Sequence, residues 1–177
     1  MINLDGKDFQ AGGKSVALEP NTYPMKLKEA RAYRDWDFDK TKIQAKLDLI
    51  WDSGLVVEND DGEEVDAYVY DSFIVISLNE KANLVKRLSA ILGPNFDPAK
   101  CKVALEFEGV SALDELPMRE EGKTKITRFD VDGESIFGRE ALVELSLNKN
   151  GYNKVTNVSR PLATAGKAKA RPAGAPA

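Results

Sequence analysis

The chain has 177 residues, is 42% hydrophobic and 31% charged, and carries a formal net charge of −4. These values are typical of one globular domain and exclude a largely disordered chain. No run of about 20 apolar residues is present, and the N-terminus lacks the apolar region of a secretory signal, so we expect a cytoplasmic protein. The absence of histidine and a single cysteine, Cys101, exclude a disulfide framework, a thiolate zinc site and His-dependent catalysis. The composition therefore favours a binding protein over an enzyme.

The C-terminal end differs in composition from the rest of the chain. Residues 163–177 hold no large apolar side chain, and Lys167, Lys169 and Arg171 are their only charges. Such a segment cannot bury enough surface to offset the entropy of ordering, so we predict a flexible basic tail. The predicted organisation is an N-terminal arm over 1–20, a folded domain over 21–162 and the tail over 163–177.

Alternation of apolar and polar residues predicts three strands in the first half of the chain. The first covers Tyr23–Lys28 and the second Ile43–Trp51, which has the most regular alternation. The third, Val65–Ile76, is long enough to bend or carry a bulge. Between the last two, Glu58–Asp66 carries six carboxylates and no cation around Asp61-Gly62, which predicts an exposed hairpin loop.

A helix is predicted after the third strand. Ser77 and Glu80 have the spacing of a capping box, which places the start of the helix at this point. The apolar residues from Leu84 to Leu92 recur at helical spacing, and Gly93-Pro94 ends the pattern.

Further strands follow the helix. Val103–Phe107 alternates with charge, Thr124–Phe137 predicts a small hairpin, and Ala141–Val158 predicts a closing hairpin about Asn148–Gly151. Three strands, a helix and a closing hairpin are the order of an OB-fold. We therefore predict a mainly β protein with one helix, a five-stranded OB-like antiparallel barrel with an additional hairpin and the helix after strand 3. A β-sandwich with one covering helix is the competing architecture.

The segment Arg31–Lys46, which joins the first two strands, alternates aromatic and charged residues. Proteins that bind single strands stack bases on aromatic side chains, at about 1–3 kcal/mol per base, and place cations along the phosphates. In an OB-fold this loop borders the binding groove. The alternative is that Tyr33, Trp36 and Phe38 cover the open end of the barrel.

The Asn148–Gly151 turn is the second predicted wall of the groove. It brings Lys149, Tyr152 and Lys154 to the same side of the barrel, although an ordinary turn with exposed lysines explains these residues as well. The strand lysines predicted to form the groove floor are Lys26, Lys28, Lys42 and Lys46. Tyr68 and Tyr70 share one face of the third strand, where we expect cross-strand packing rather than base contact. No acidic stretch has the full ligand spacing of a calcium loop, so no metal site is predicted.

Four segments of the chain resemble the small single-stranded DNA-binding proteins of tailed bacteriophages and related phage replication-module proteins. They lie within Pro20–Leu162 and read NTYPMKLKEAR, KIQAKLDLIWDSG, DSFIVISLNEKANLVKRLSAILG and FGREALVELSLNKNGYNKVTNVSRPL. The resemblance implies an OB-fold that binds single-stranded DNA without strong sequence preference and without a cofactor. By position, it implies a groove formed by Tyr23, Lys26, Lys28, Arg31, Tyr33, Arg34, Trp36, Lys42, Lys46, Lys149, Tyr152 and Lys154.

We therefore expect a non-enzymatic single-stranded DNA-binding protein of a bacteriophage, acting in replication or recombination in the host cytoplasm. Phage or host replication proteins and further copies of the chain are candidate partners. Many proteins of the group end in an acidic tail that recruits such partners, whereas this chain ends in a basic one. The alternatives are a virion or assembly accessory protein that uses the same surface for protein contact, and an inhibitor that mimics DNA with Glu58–Asp66.

Overall fold

The computed structural model describes residues 17–161, which form eight β-strands and one α-helix. The elements are β1 (Thr22–Trp36), β2 (Ile43–Glu58), β3 (Glu64–Val75), α1 (Asn83–Leu92), β4 (Val103–Phe107), β5 (Thr124–Val131), β6 (Glu134–Ser135), β7 (Glu140–Leu147) and β8 (Asn153–Ser159). The mainly β class and the helix after the third strand are confirmed. The predicted tail over 163–177 lies outside the described residues, as do the first 16 residues of the predicted arm.

The barrel has the predicted strand order but is open along one side. β1, β2 and β3 form an antiparallel meander, β7 pairs with the first half of β1, and β8 pairs with β7. β8 lies next to β3, yet no backbone ladder joins these two strands within the part of the chain that the structure describes. The five barrel strands therefore leave a seam between β3 and β8.

The additional hairpin is inserted between α1 and β7. β4 and β5 pair along their length, and β5 also meets the second half of β1 at Arg31 and Ala32. The turn from β5 to β6 lies at Asp132-Gly133, where both residues have positive φ, as the sequence predicts. The loop before β5 runs along β1, where the Arg34 N–H donates to the Pro117 carbonyl at 2.8 Å.

The core lies between the inner faces of the strands and α1. Its largest fully buried side chains include Leu27, Leu47, Trp51 and Phe129, and burial of a large apolar side chain is worth about 1.5–3 kcal/mol. The helix contributes the predicted apolar stripe, with Leu84, Val85, Leu88 and Ile91 buried.

The start of α1 differs from the prediction. The helix begins at Asn83 with Ala82 as its N-cap, and no side chain caps it. The Ser77 hydroxyl instead accepts the N–H of Asn79 at 3.1 Å, within the connection from β3. The capping-box spacing therefore marks a local turn rather than the helix start, whereas Gly93, with φ of 91°, ends the helix as predicted.

The middle of β2 is buried on both faces, although its alternation predicts one polar face. Lys46 and Asp48 are buried, like their apolar neighbours Leu47 and Leu49. The reason is tertiary, because Arg119 and Lys123 from the loop before β5 reach over the outer face of β1 and β2 and contact acidic groups there.

The C-terminal end of the predicted arm over 1–20 belongs to the packed domain. Leu18 is 7% exposed and belongs to the core. Its N–H donates to the Asn153 side-chain oxygen at 2.8 Å, and the Asn153 amide donates to the Leu18 carbonyl at 2.9 Å. The packed domain therefore includes Leu18, before the boundary predicted at residue 20.

Candidate nucleic-acid interface

A groove of about 780 Å³, the seam groove, follows the seam between β3 and β8. Tyr68, Tyr70 and Phe73 line it from β3, while Tyr152 and Lys154 line it from the β8 side. In an OB-fold the surface of strands 2 and 3, bordered by the first and last loops, is the usual ligand face. The seam groove occupies the β3 part of this face, next to the last loop.

Tyr68 and Tyr70 lie on the outer face of the sheet rather than in the core. Their neighbours Ala67 and Val69 are about 1% exposed and belong to the core, and successive side chains of a strand point to opposite faces. Both tyrosines are half-buried. Burial raises the pKa of Tyr70 to about 12, so its phenol is neutral at physiological pH and adds no negative charge to the groove.

Phe73 lies on a bulge of β3, which confirms the predicted irregularity. Two residues, Ser72 and Phe73, stand opposite Asp48, between the pairs Leu47–Ile74 and Leu49–Asp71. Phe73 has a φ of 62°, in the left-handed region that non-glycine residues adopt at a cost. Its side chain is nevertheless 54% exposed, so an aromatic ring is presented at the groove from a strained backbone.

A buried polar network supports this bulge from below. The Tyr33 hydroxyl donates to Asp48 Oδ1 at 2.6 Å, and the Phe73 N–H donates to the Tyr33 oxygen at 3.1 Å and to Asp48 Oδ1 at 3.2 Å. Lys123 Nζ lies 2.6 Å from the other Asp48 oxygen. Burial, together with the Asp48 charge, raises the pKa of Tyr33 well above its ordinary value.

The position of Tyr33 corrects its predicted role. The side chain is fully buried, so its ring offers no face to a base. Tyr33 instead supports the bulge that presents Phe73.

Cations stand beside the aromatic rings of β3. Lys28 Nζ lies 5.2 Å from the centre of the Tyr68 ring, the Arg119 guanidinium 5.4 Å from the Phe73 ring and Lys46 Nζ 6.0 Å from the same ring. These separations are within the range of cation–π attraction. The outer face of β3 therefore combines stacking surfaces with positive charge.

The sequence predicts Lys46 on the open floor of the groove, but the structure has it buried. It is 8% exposed, donates to the Trp36 carbonyl at 2.7 Å and lies 3.4 Å from Asp35 Oδ2. Burial acts to raise the pKa of Asp35, but the Trp36 N–H and the charges of Lys46 and Arg119 outweigh it and hold this pKa below its ordinary value. The ionised carboxylate compensates the Lys46 charge.

Trp36 lies at the end of β1, on the face of the sheet opposite Tyr33. The register with β2 is unbroken from Ala32 to Trp36, and an odd separation places Tyr33 and Trp36 on opposite faces. Trp36 is 44% exposed, and Phe38, in the following turn, is 98% exposed. These aromatics, with the exposed Lys42, therefore lie apart from the seam groove.

The other predicted residues of β1 divide between the two faces. Tyr23 packs against the core, and its hydroxyl donates to the Glu19 carbonyl at 2.7 Å. Arg34 Nε donates to the Leu116 carbonyl at 2.7 Å and supports the loop along β1. Lys26 and Lys28 are exposed beside Asp52 and Tyr68. Arg31 pairs with Glu29 at 2.7 Å.

The predicted last loop lies at the seam groove, whereas no residue of the Arg31–Lys46 segment, the other predicted wall, lines this groove. The Asn148 side-chain oxygen accepts the N–H groups of Asn150 at 2.8 Å and Tyr152 at 3.0 Å, and Gly151 has a φ of 84°. This turn fixes the position of Tyr152 at the groove and leaves Lys149 exposed beside it.

An ion pair joins the helix to β3 at the groove. Arg87 donates to both oxygens of Asp71, at 2.7 and 3.0 Å, and Asp71 is only 4% exposed. The sequence-based prediction missed this pair. It also missed Phe73, because a bulge changes which strand residues face outward.

The described residues include no cluster of three His, Cys, Asp or Glu side chains that could hold a metal ion. No helix within residues 17–161 is long and apolar enough to cross a membrane. Comparison with known proteins finds no matching family model, no matching curated protein and no matching solved structure.

Proposed function

We propose that the chain binds single-stranded nucleic acid, DNA in the first instance, in the seam groove and catalyses no reaction. The observation that carries the proposal is the row of aromatic side chains on the outer face of β3, Tyr68, Tyr70 and Phe73, opposite Tyr152 and Lys154. Aromatic faces next to cations are what a single strand requires, since its bases stack and its phosphates are negative.

The arrangement supports binding with little sequence preference. Every base has a flat face, so stacking on Tyr70, Phe73 or Tyr152 does not depend on the base. Lys28, beside Tyr68, and Lys149 and Lys154, on either side of Tyr152 in the sequence, are exposed and are the proposed phosphate contacts. The net charge of −4 does not oppose this, because affinity depends on the cations along the path of the strand.

The proposed setting is the replication or recombination of a bacteriophage genome in a bacterial cytoplasm. This setting rests on the sequence resemblance to phage single-stranded DNA-binding proteins. Phage or host replication proteins are the proposed further partners.

Fluorescence anisotropy of a labelled oligothymidine at low salt tests the proposal. We expect binding in the micromolar range or tighter. With about three or four phosphates contacted, the slope of log affinity against log salt should be roughly −2 to −3, since each phosphate on a single strand contributes about −0.7. A labelled duplex is the control and should bind more weakly, because its bases are not free to stack.

No binding at micromolar protein in low salt would contradict the proposal. An oligouridine measured in parallel distinguishes DNA from RNA, because only RNA presents a 2′-hydroxyl.

A further inference from the structure

Phe73 combines two properties that rarely occur together. Its backbone is in the left-handed region, with φ of 62°, and its large apolar side chain is 54% exposed. An exposed position does not require an aromatic side chain, and glycine, asparagine or aspartate adopts the left-handed region at lower cost than phenylalanine. Strained backbone of this kind clusters at ligand-binding positions.

We propose that the Ser72–Phe73 bulge is a preformed nucleotide subsite, in which Phe73 stacks one base and Arg119 contacts the adjoining phosphate. The inference rests on the proposed function and names one position within it. Tyr33 and Asp48 are positioning residues, since they act through the backbone of Phe73.

The network beneath the bulge fixes the direction of the Phe73 ring. The Phe73 N–H has two acceptors, the Tyr33 hydroxyl oxygen and Asp48 Oδ1. Asp48 is itself held by the Tyr33 hydroxyl and by Lys123. A backbone held in this way loses little conformational freedom when a ligand binds, which favours affinity.

Arg119 lies beside the Phe73 ring, where it can contact the phosphate next to the stacked base. Its guanidinium lies 5.4 Å from the Phe73 ring, and its side chain is 38% exposed. Its ion-pair contacts are long, 3.4 Å to Asp35 and 3.7 Å to Glu120. Neither carboxylate is therefore in close contact with the guanidinium, and in the proposed subsite Arg119 turns to a phosphate beside the base stacked on Phe73.

A double-mutant cycle on oligothymidine binding tests the subsite. We expect Phe73→Leu to weaken binding by about 5- to 150-fold, the range for loss of one stacked base. Tyr33→Phe should weaken binding several-fold in the wild-type chain and have no effect in the Phe73→Leu background. Arg119→Gln should make the salt slope shallower by about 0.7, while Arg128→Gln, the control at an exposed arginine on β5, leaves it unchanged.

The outcomes separate the subsite from the proposed function. If Tyr68→Leu weakens binding and Phe73→Leu does not, the groove binds DNA and the subsite is overturned. An equal loss from Tyr33→Phe in both backgrounds overturns the positioning role, because an effect on stability alone does not depend on the Phe73 ring. If the wild-type chain binds no oligonucleotide, the proposed function itself fails, and the subsite fails with it.

Discussion

Replacing Tyr70 and Tyr152 together with leucine should weaken oligothymidine binding by about 30-fold or more, because each stacked base contributes about 1–3 kcal/mol. The two tyrosines line the seam groove from opposite sides, Tyr70 on β3 and Tyr152 next to β8. Leucine keeps an apolar side chain at each position but removes the flat face. Anisotropy titration at fixed salt measures the change, and thermal unfolding verifies that both proteins are folded at the assay temperature.

The matched control replaces two exposed aromatic residues outside the groove, Trp36 at the C-terminal end of β1 and Phe38 in the following turn. Trp36→Leu with Phe38→Leu makes the same kind of change on surface that is at least as exposed. We expect an affinity within about twofold of the wild type, because these residues lie apart from the groove and stacking requires direct contact. If Trp36→Leu with Phe38→Leu weakened oligothymidine binding more than the groove variant did, the DNA would bind at the β1–β2 turn instead.

Replacing Arg87 with alanine should lower the free energy of unfolding by about 3–5 kcal/mol, the cost of leaving one partner of a buried ion pair uncompensated. Asp71 is 4% exposed, and both of its oxygens accept from Arg87. Lys86→Ala, the control at the neighbouring exposed position of α1, should change stability by no more than about 0.5 kcal/mol. Urea denaturation measures both.

A second variant distinguishes two causes of the lost stability, the uncompensated Asp71 charge and the lost packing of the Arg87 side chain. Replacing both members, Arg87→Met with Asp71→Leu, should destabilise less than Arg87→Ala alone, because no charge then remains buried without a partner. A double variant that is less stable than Arg87→Ala would show that the cost lies in packing of the helix against β3 and would contradict this account.

Local patterns in the sequence predict much of the fold. The sequence predicts the turns at Asp61-Gly62, Asp132-Gly133 and Asn148–Gly151, because each needs residues that tolerate positive φ, and the chain turns at all three places. The helix is predicted from its apolar stripe. Its start is not, because Ser77 and Glu80 form a capping pattern within the connection from β3, and the helix begins after them, at Asn83.

The candidate site was predicted less well, for tertiary reasons. Alternation places Lys46 on the polar face of the second strand, and Tyr33 is predicted as a wall of the groove, but no local pattern predicts that the loop before β5 covers this outer face. Both side chains are therefore buried. The hairpin that carries Tyr152 and Lys154 is predicted correctly, because a tight turn determines its position. Phe73 was missed because one bulge residue reverses the alternation that follows it.

Photocrosslinking of a 5-iodouracil oligodeoxynucleotide, followed by mass spectrometry of the linked peptides, tests most directly whether single-stranded DNA lies in the seam groove. The crosslinks should fall on the aromatic residues of the groove, Tyr68, Tyr70, Phe73 and Tyr152, and should disappear when unlabelled oligothymidine competes. Crosslinks confined to Trp36 and Phe38, or none that competitor removes, would contradict binding in the seam groove.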